Sequence, residues 1–168
     1  MDTYVITVLS NIGMISFVAL SAYILLLSGQ ISFGQQAYFG IGAYTAGIAT
    51  VMWQWPIAVA LVLGALAASA AAGLVGLATL RLSGIYFAMA TLAFAEIMRI
   101  AAELFVYRRE IGGIETGPDG IDGFRDIRYF FANDISPFQS CLIVYALLAA
   151  VLASLFIVER TRGGRLLR

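Results

Sequence analysis

The sequence predicts an all-α, polytopic membrane protein, a bundle of about five membrane-embedded helices. Of its 168 residues, 61% are hydrophobic and only 12% are charged, and the mean hydropathy is +0.92. No Asp, Glu, Lys or Arg occurs between Thr3 and Leu80. Because a helix needs about 20 apolar residues to cross a bilayer, this run can hold about three spans. A water-soluble helical protein would need charged faces on these helices, and the sequence offers none.

The first predicted helix, Tyr4 to Leu27, is followed by a polar, glycine-rich break near residues 28–36. Two glycines, Gly29 and Gly34, lie in this break among serine and glutamine residues, which favours a turn or an unwound segment. Within hydrocarbon, polar side chains and irregular backbone are tolerated where they are buried in protein or line a wet cavity. The break is therefore predicted to face the inside of the bundle, as the discontinuous helices of transporters do.

Small residues recur in the third predicted helix. Gly64, Ala68, Ala72 and Gly76 are spaced four residues apart, a pattern that predicts close packing against another helix along several turns. A substrate-facing role for the same residues is the alternative. The helices after the break are predicted at Ala37 to Trp53, Pro56 to Leu80, Gly84 to Leu104 and Phe138 to Val158.

Three charged residues share one face of the predicted helix from Gly84 to Leu104. Glu96, Arg99 and Glu103 are spaced by three and four residues, which allows a ladder of ion pairs. Two interpretations remain open at this point: a structural ion pair close to the lipid headgroups, or the polar lining of a pathway. Ionisable residues inside a membrane are candidates for function by default.

Residues 105–137 form a long hydrophilic segment, which is predicted to be a structured external loop. Its carboxylates do not have the spacing of an EF-hand, so no metal site is predicted. Residues 159–168 are rich in arginine and directly follow a predicted span, which indicates that they lie in the cytoplasm. Counting spans back from there puts the 105–137 loop outside, Arg81 inside and the 54–56 turn outside.

The residue types that are absent exclude several functions. The sequence contains no histidine and no lysine. A phosphate-binding P-loop needs a lysine, and a serine hydrolase needs a histidine or lysine base, so no enzyme activity is predicted and any ATP hydrolysis is expected in a separate subunit. The formal net charge is zero, which gives no reason to expect nucleic acid. The single cysteine, Cys141, lies in an apolar segment and is expected to serve packing, and no cofactor is expected.

Several blocks of the sequence are similar to one family. The segment from Gly29 to Ala46 resembles the pattern G-Q-x-S-x-G-x-x-A-F/Y-x-G-I-G-A-Y-T-A of inner-membrane permeases of branched-chain amino-acid ABC transporters, of the LivM type. Residues 80–99 are similar to the block L-R-L-x-G-x-Y-F-A-x-x-T-L-A-F-x-E-I-x-R, and Thr116 to Ile121 is close to T-G-G-x-D/N-G-L/I with one glycine missing. Residues 162–168 resemble the beginning of the cytoplasmic segment that docks on the ATPase.

The resemblance implies the following assembly and residue roles. Residues 1–168 would form a single transmembrane permease domain, apparently truncated to its N-terminal portion because family members are longer. Its partners would be a second permease subunit, ABC ATPase subunits and an external solute-binding protein, in the membrane lipid of a bacterial inner membrane. The residues expected to line the translocation pathway or a subunit interface are Gln30, Ser32, Gln35, Gln36, Tyr44, Thr45, Glu96 and Arg99. ATPase docking is expected at Arg162, Gly164 and Arg165, and the external loop at Thr116, Gly117, Asp119 and Gly120.

The resemblance favours an importer permease for branched-chain amino acids. Two alternatives remain open: a permease for urea or short amides, and a non-transporting membrane scaffold or fragment. In this family the external binding protein largely sets the substrate, so this sequence does not decide among substrates.

Overall fold

The computed structural model describes residues 3–79, 81–111, 114–125 and 136–160. These residues form five α-helices, three short β-strands and one 3₁₀ turn, so the predicted all-α membrane bundle is confirmed, with a small sheet added to it. The helices are α1 (Thr3–Leu27), α2 (Gln35–Val51), α3 (Ile57–Thr79), α4 (Ile85–Leu104) and α5 (Pro137–Arg160); the strands are β1 (Arg109–Ile111), β2 (Ile114–Pro118) and β3 (Phe124–Arg125), and the 3₁₀ turn η1 is Gly120–Asp122.

Four helices are long and apolar enough to cross a membrane. They are α1, α3, α4 and the part of α5 up to Ile157. At 17 residues, α2 is about 25 Å long and falls short of the ~30 Å hydrocarbon core. The predicted helices agree with the observed ones to within two residues at each end. The small differences remain because helix ends are set by local capping rather than by hydropathy.

The chain divides into two units, residues 1–31 with 133–168 and residues 32–132. In the first unit α1 packs against α5. A Cβ placed on Gly13 would lie 2.7 Å from Cγ1 of Val144, so the absence of a side chain at Gly13 permits the close approach of these helices. The hydroxyl of Tyr145 donates a hydrogen bond over 3.1 Å to the carbonyl oxygen of Leu9.

The break after α1 is confirmed, and a glycine produces it. Gly29 has φ +74°, and the N–H groups of Gly29 and Gln30 donate to the carbonyls of Leu26 and Leu25 over 3.0 and 3.1 Å. This is a Schellman motif, in which a left-handed residue closes the last turn of a helix. The non-helical segment extends over residues 28–34, so α2 begins two residues earlier than predicted, at Gln35.

In the second unit α2 lies between α3 and α4. A Cβ on Gly64 of α3 would lie 2.7 Å from the carbonyl oxygen of Gly42 and 3.4 Å from Cβ of Ala46, and one on Gly42 would lie 3.7 Å from Cβ of Ala68. The prediction of small-residue packing therefore holds for the first half of α3. Farther along the helix, a Cβ on Gly76 would meet nothing within 4 Å among the described residues.

Helices α2 and α4 run in the same direction. A Cβ on Gly34, just before α2, would lie 3.6 Å from Cβ of Thr91 in α4, and one turn farther along both helices the rings of Tyr38 and Phe94 are 5.4 Å apart between centroids. Their C-terminal ends meet one small folded element, which we call the cap (residues 106–111 and 114–125). A Cβ on Gly117 of the cap would lie 2.5 Å from Cε of Met52, just past α2, while the N–H of Gly120 donates to Phe105 O, just past α4, over 3.1 Å.

The cap contains a three-stranded antiparallel sheet in the order β1-β2-β3. Arg109 pairs with Thr116 in the β1–β2 register, and Gly117 pairs with Arg125 in the β2–β3 register. The prediction of a structured segment after α4 is thus supported for the described part of 105–137. The guanidinium of Arg109 in β1 donates a hydrogen bond to the carbonyl oxygen of Met52 over 3.1 Å, so the turn after α2 and the cap lie at the same end of this unit.

Candidate functional site

A cavity of about 540 Å³ lies between α2 and α4. Its walls are mostly apolar, with Ile41 and Ile48 on α2 and Met98 on α4. Five of the residues predicted to line a pathway or an interface border this cavity: Gln36, Tyr44, Thr45, Glu96 and Arg99. Concave, mainly apolar sites with a few convergent polar groups are typical of small-molecule binding.

The charged residues of α4 form the predicted ladder. The guanidinium of Arg99 donates to Glu96 through Nε over 3.0 Å and through Nη2 over 2.6 Å, and its Nη1 donates to Glu103. Glu96 and Arg99 line the cavity, and their side chains are 55% and 54% exposed. Two carboxylates share one guanidinium, so the cluster carries a formal charge of −1. Glu96 and Arg99 together are neutral and lie at the cavity wall, and Glu103, which does not line the cavity, gives the cluster its net negative charge.

The side chains that α2 contributes to the cavity wall include polar groups that carry no charge. The hydroxyl of Thr45 donates to the carbonyl of Ile41 over 2.7 Å, so its oxygen keeps lone pairs for accepting a hydrogen bond. The ring of Tyr44 packs edge-on against Phe124 of the cap, 6.3 Å between centroids. Gln36, in the first turn of α2, is exposed at the other end of the wall.

Three predicted residues of the break do not line the cavity. Gln30 belongs to the first unit, and its Oε1 is buried without a hydrogen-bond partner among the described residues. Ser32 accepts a hydrogen bond from the N–H of Gly34 over 3.2 Å and so shapes the start of α2. Gln35 is 6% exposed, and its Nε2 has no hydrogen-bond partner in the described part of the chain.

Thr91 has a positional role that the sequence interpretation missed. It is 1% exposed, it accepts a hydrogen bond from the N–H of Phe33 over 3.1 Å, and it donates to the carbonyl of Ala88 over 3.0 Å. The non-helical segment before α2 is thereby attached to α4. Thr91 carries no charge and stands in an apolar helix, so the sequence indicated it only as one residue of the block 80–99 that carries the resemblance.

The four residues assigned to the external loop lie at the centre of the cap. Thr116, Gly117, Asp119 and Gly120 are all buried. The carboxylate of Asp119, 4% exposed, accepts from Arg108 Nε over 2.8 Å and lies 2.9 Å from Arg125 Nη1. The hydrogen bond that Arg108 donates to Asp119 raises the pKa of Arg108 further above its ordinary value.

The remaining predicted residues cannot be placed. Arg162, Gly164 and Arg165 lie outside the described residues. Among the residues that the structure does describe, no group of three or more His, Cys, Asp or Glu side chains is arranged to hold a metal ion.

Comparison with known proteins identifies one family model and two curated relatives that are similar to this chain. A family model described as the permease component of branched-chain amino acid transport systems matches residues 4–168. The high-affinity branched-chain amino acid transport system permease protein LivM of Escherichia coli (strain K12) is 33% identical over 155 residues, which cover 80% of this chain and 35% of the relative. The protein of the same description from Salmonella typhimurium (strain LT2) matches with the same identity and coverage.

The chain thus spans about a third of the length of the curated relatives that it matches. No solved structure matches it. Its four long apolar helices make it a multi-pass membrane protein. Since the family model extends over residues 4–168, the chain belongs to the family of permease components of branched-chain amino acid transport systems.

Proposed function

We propose that this chain forms part of the translocation pathway of an ABC importer for branched-chain amino acids in a bacterial inner membrane. A separate ATPase subunit drives transport, a second permease subunit completes the pathway, and an external solute-binding protein delivers the amino acid. The family membership supports the transport role, and the name of the listed LivM proteins supports the substrate class.

The observation that carries the proposal is the charged cluster of α4 beside the cavity. Glu96, Arg99 and Glu103 stand on a helix that is apolar enough to span a membrane. In such helices ionisable side chains almost always face the bundle interior or a water-filled cavity, because hydrocarbon does not solvate charge. Glu96 and Arg99 line a cavity in this unit. A water-filled pathway along this wall of α4 would solvate the charges of Glu96 and Arg99. A position facing lipid would leave them with a large unfavourable free energy of desolvation.

Other expected roles follow from this proposal. Gln30, Ser32 and Gln35 shape or border the pathway where the chain leaves α1, or they pack at the interface with the second permease. The arginine-rich segment with Arg162, Gly164 and Arg165 contacts the ATPase on the cytoplasmic side. The cap then lies on the external side, where its buried Thr116, Gly117, Asp119 and Gly120 keep it folded.

The test is uptake of radiolabelled leucine by cells that express the native protein together with its ABC subunits. The first comparison inactivates the ATPase subunit. The second replaces Glu96 by Leu, which removes a cavity charge, with Leu77→Ala as the matched control because Leu77 is a 70% exposed residue of α3 that does not border the cavity. Membrane insertion of each variant is checked by immunoblotting of washed membranes.

Uptake that requires the ATPase, falls at least several-fold in Glu96→Leu and is retained in Leu77→Ala supports the proposal. Uptake of urea or acetamide instead of leucine would support the permease role but overturn the proposed substrate class. If the protein is present in the membrane but none of these solutes is taken up in an ATP-dependent manner, the transport role is overturned. The alternative of a non-transporting membrane scaffold would then be favoured.

A further inference from the structure

The hydrogen-bonding capacity of Arg99 is only partly used. A guanidinium has five N–H donors, and three of them are given to Glu96 and Glu103. The other two have no acceptor among the described residues, although Arg99 lines the cavity. Arginine presents its donors in a planar fork that matches a carboxylate. The cavity wall therefore offers donors of the kind that bind a second carboxylate.

The two glutamates have unused acceptor capacity. An ionised carboxylate can accept about four hydrogen bonds, whereas Glu96 receives the two from Arg99 described above. An ammonium group carries three donors and one positive charge, which complements the formal charge of −1 on the cluster. One cluster thus presents an anion-binding edge and cation-binding oxygens next to each other.

The rest of the cavity surface is mainly apolar. Ile41, Ile48 and Met98 supply aliphatic and thioether surface, and Ala37 and Ala95 leave room between the helices. At about 540 Å³, the cavity falls in the range of about 300–1,000 Å³ that ligand sites occupy. Among the described residues that line its walls, Glu96 and Arg99 are the charged ones. Such a cavity suits a ligand with a zwitterionic head and an uncharged aliphatic tail.

We propose that Glu96 and Arg99 bind the head group of a free aliphatic amino acid in the cavity between α2 and α4. The α-carboxylate accepts from the two unused N–H groups of Arg99, the α-ammonium donates to Glu96, and the aliphatic side chain contacts Ile41, Ile48 and Met98. Glu103 is a positioning residue, because its hydrogen bond from Nη1 holds the guanidinium in place. This inference rests on the proposed function and deepens it, since it gives the permease its own recognition of the substrate.

The first test needs no variant. The native protein in lipid nanodiscs, without any solute-binding protein, is titrated with radiolabelled leucine in a scintillation proximity assay. Two unlabelled competitors each lack one charged group: isopentylamine has no carboxylate and 4-methylpentanoate has no ammonium. We expect leucine to compete at least tenfold better than either. Because the cluster is net negative, isopentylamine should compete better than 4-methylpentanoate.

The second test alters the cluster. Glu96→Gln keeps the size and hydrogen-bonding atoms of the side chain and removes its charge, so leucine affinity should fall at least tenfold. Glu110→Gln is the matched control, since Glu110 is an exposed carboxylate in β1 that does not line the cavity, and its affinity should stay within twofold of the native value. The thermal unfolding temperature of each variant is measured in the same nanodiscs.

Each result decides the inference. Absence of leucine binding, equal competition by the two analogues, or native affinity in a folded Glu96→Gln variant overturns it. If Glu96→Gln does not fold, the analogue series on the native protein decides alone. ATP-dependent leucine uptake that persists when the binding assay shows no preference would remove this inference and leave the proposed function in place.

Discussion

The backbone N–H of Phe33 donates a hydrogen bond to Oγ1 of Thr91 over 3.1 Å. This bond joins the non-helical segment before α2 to the middle of a membrane-spanning helix. A backbone N–H without a partner is costly in an apolar environment, so Thr91 allows the chain to remain unwound at this point. The hydroxyl of Thr91 therefore helps to fix the position at which α2 starts, together with the hydrogen bond between Gly34 and Ser32.

Replacing Thr91 by Val should destabilise the second unit. Valine has nearly the same shape, so the change removes the hydroxyl and leaves the N–H of Phe33 unpaired, at an expected cost of about 1–3 kcal/mol. The free energy of unfolding is measured by denaturant titration in mixed micelles. Thr91→Ser is the control, because it keeps the hydroxyl and should recover most of the loss. Equal stability of Thr91→Val and the native protein would contradict this role.

The contact between α2 and the cap depends on the lack of a side chain at Gly47. A Cβ at this position would lie 2.8 Å from Cε2 of Phe124. Gly47→Leu should therefore force the cap away from α2 and cost about 1–3 kcal/mol, the usual range for overpacking.

A control and a rescue test this contact. Gly73→Leu in α3 places the same side chain where a Cβ meets nothing within 4 Å among the residues that the structure describes, so it should cost far less. The double variant Gly47→Leu with Phe124→Ala should be more stable than the sum of the single effects predicts. Additive single effects would show that Gly47 and Phe124 are not coupled.

The fold of the cap should depend on Asp119. This buried carboxylate pairs with Arg108 and Arg125, and Asp119→Asn removes its charge while keeping its shape. Since hydrogen bonds to charged groups are worth more than neutral ones, amides of the cap should exchange with deuterium about tenfold faster or more. Asp122→Asn is the control, as Asp122 is 63% exposed and lies 3.6 Å from Arg125. Unchanged exchange in Asp119→Asn would rule out the ion pairs as the support of the cap.

The end of the second unit that carries the cap should lie at a membrane–water interface. The protein has two tryptophans, Trp53 and Trp55, both partly exposed just after α2, and tryptophan prefers the headgroup level. Their fluorescence should be quenched strongly by lipids brominated near the headgroup and weakly by lipids brominated near the chain ends. The single variants Trp53→Phe and Trp55→Phe each leave one tryptophan, so the quenching of Trp53 and of Trp55 can be compared separately. Stronger quenching from the chain ends would contradict this placement.

The membrane class and the helices could be predicted from sequence because both follow from local composition. The uncharged run before Arg81 has too few polar groups to face water, and Gly29 stops α1 through its own backbone conformation. The ladder of Glu96, Arg99 and Glu103 also followed from spacing, since residues three and four apart on a helix are neighbours.

The site was predicted only in part, for a physical reason. Gln36, Tyr44, Thr45, Glu96 and Arg99 border one cavity, whereas Gln35 is buried but does not line it. Polarity indicates that a residue in an apolar helix needs a partner, but it does not indicate which partner. The hydroxyl of Thr91 found its partner 58 residues away in the sequence.

Hydropathy, glycine conformation and helical spacing are local properties, and they suffice to predict a membrane helix bundle with a broken polar segment and a charged face on α4. The folded chain adds three features: α2 and α4 run in the same direction, a cavity lies between them, and the segment after α4 folds over their ends. Those features depend on which small residues allow close approach, as Gly42 and Gly47 do, and on pairings such as Asp119 with Arg108. Such contacts join residues distant in the chain, and no local pattern encodes them.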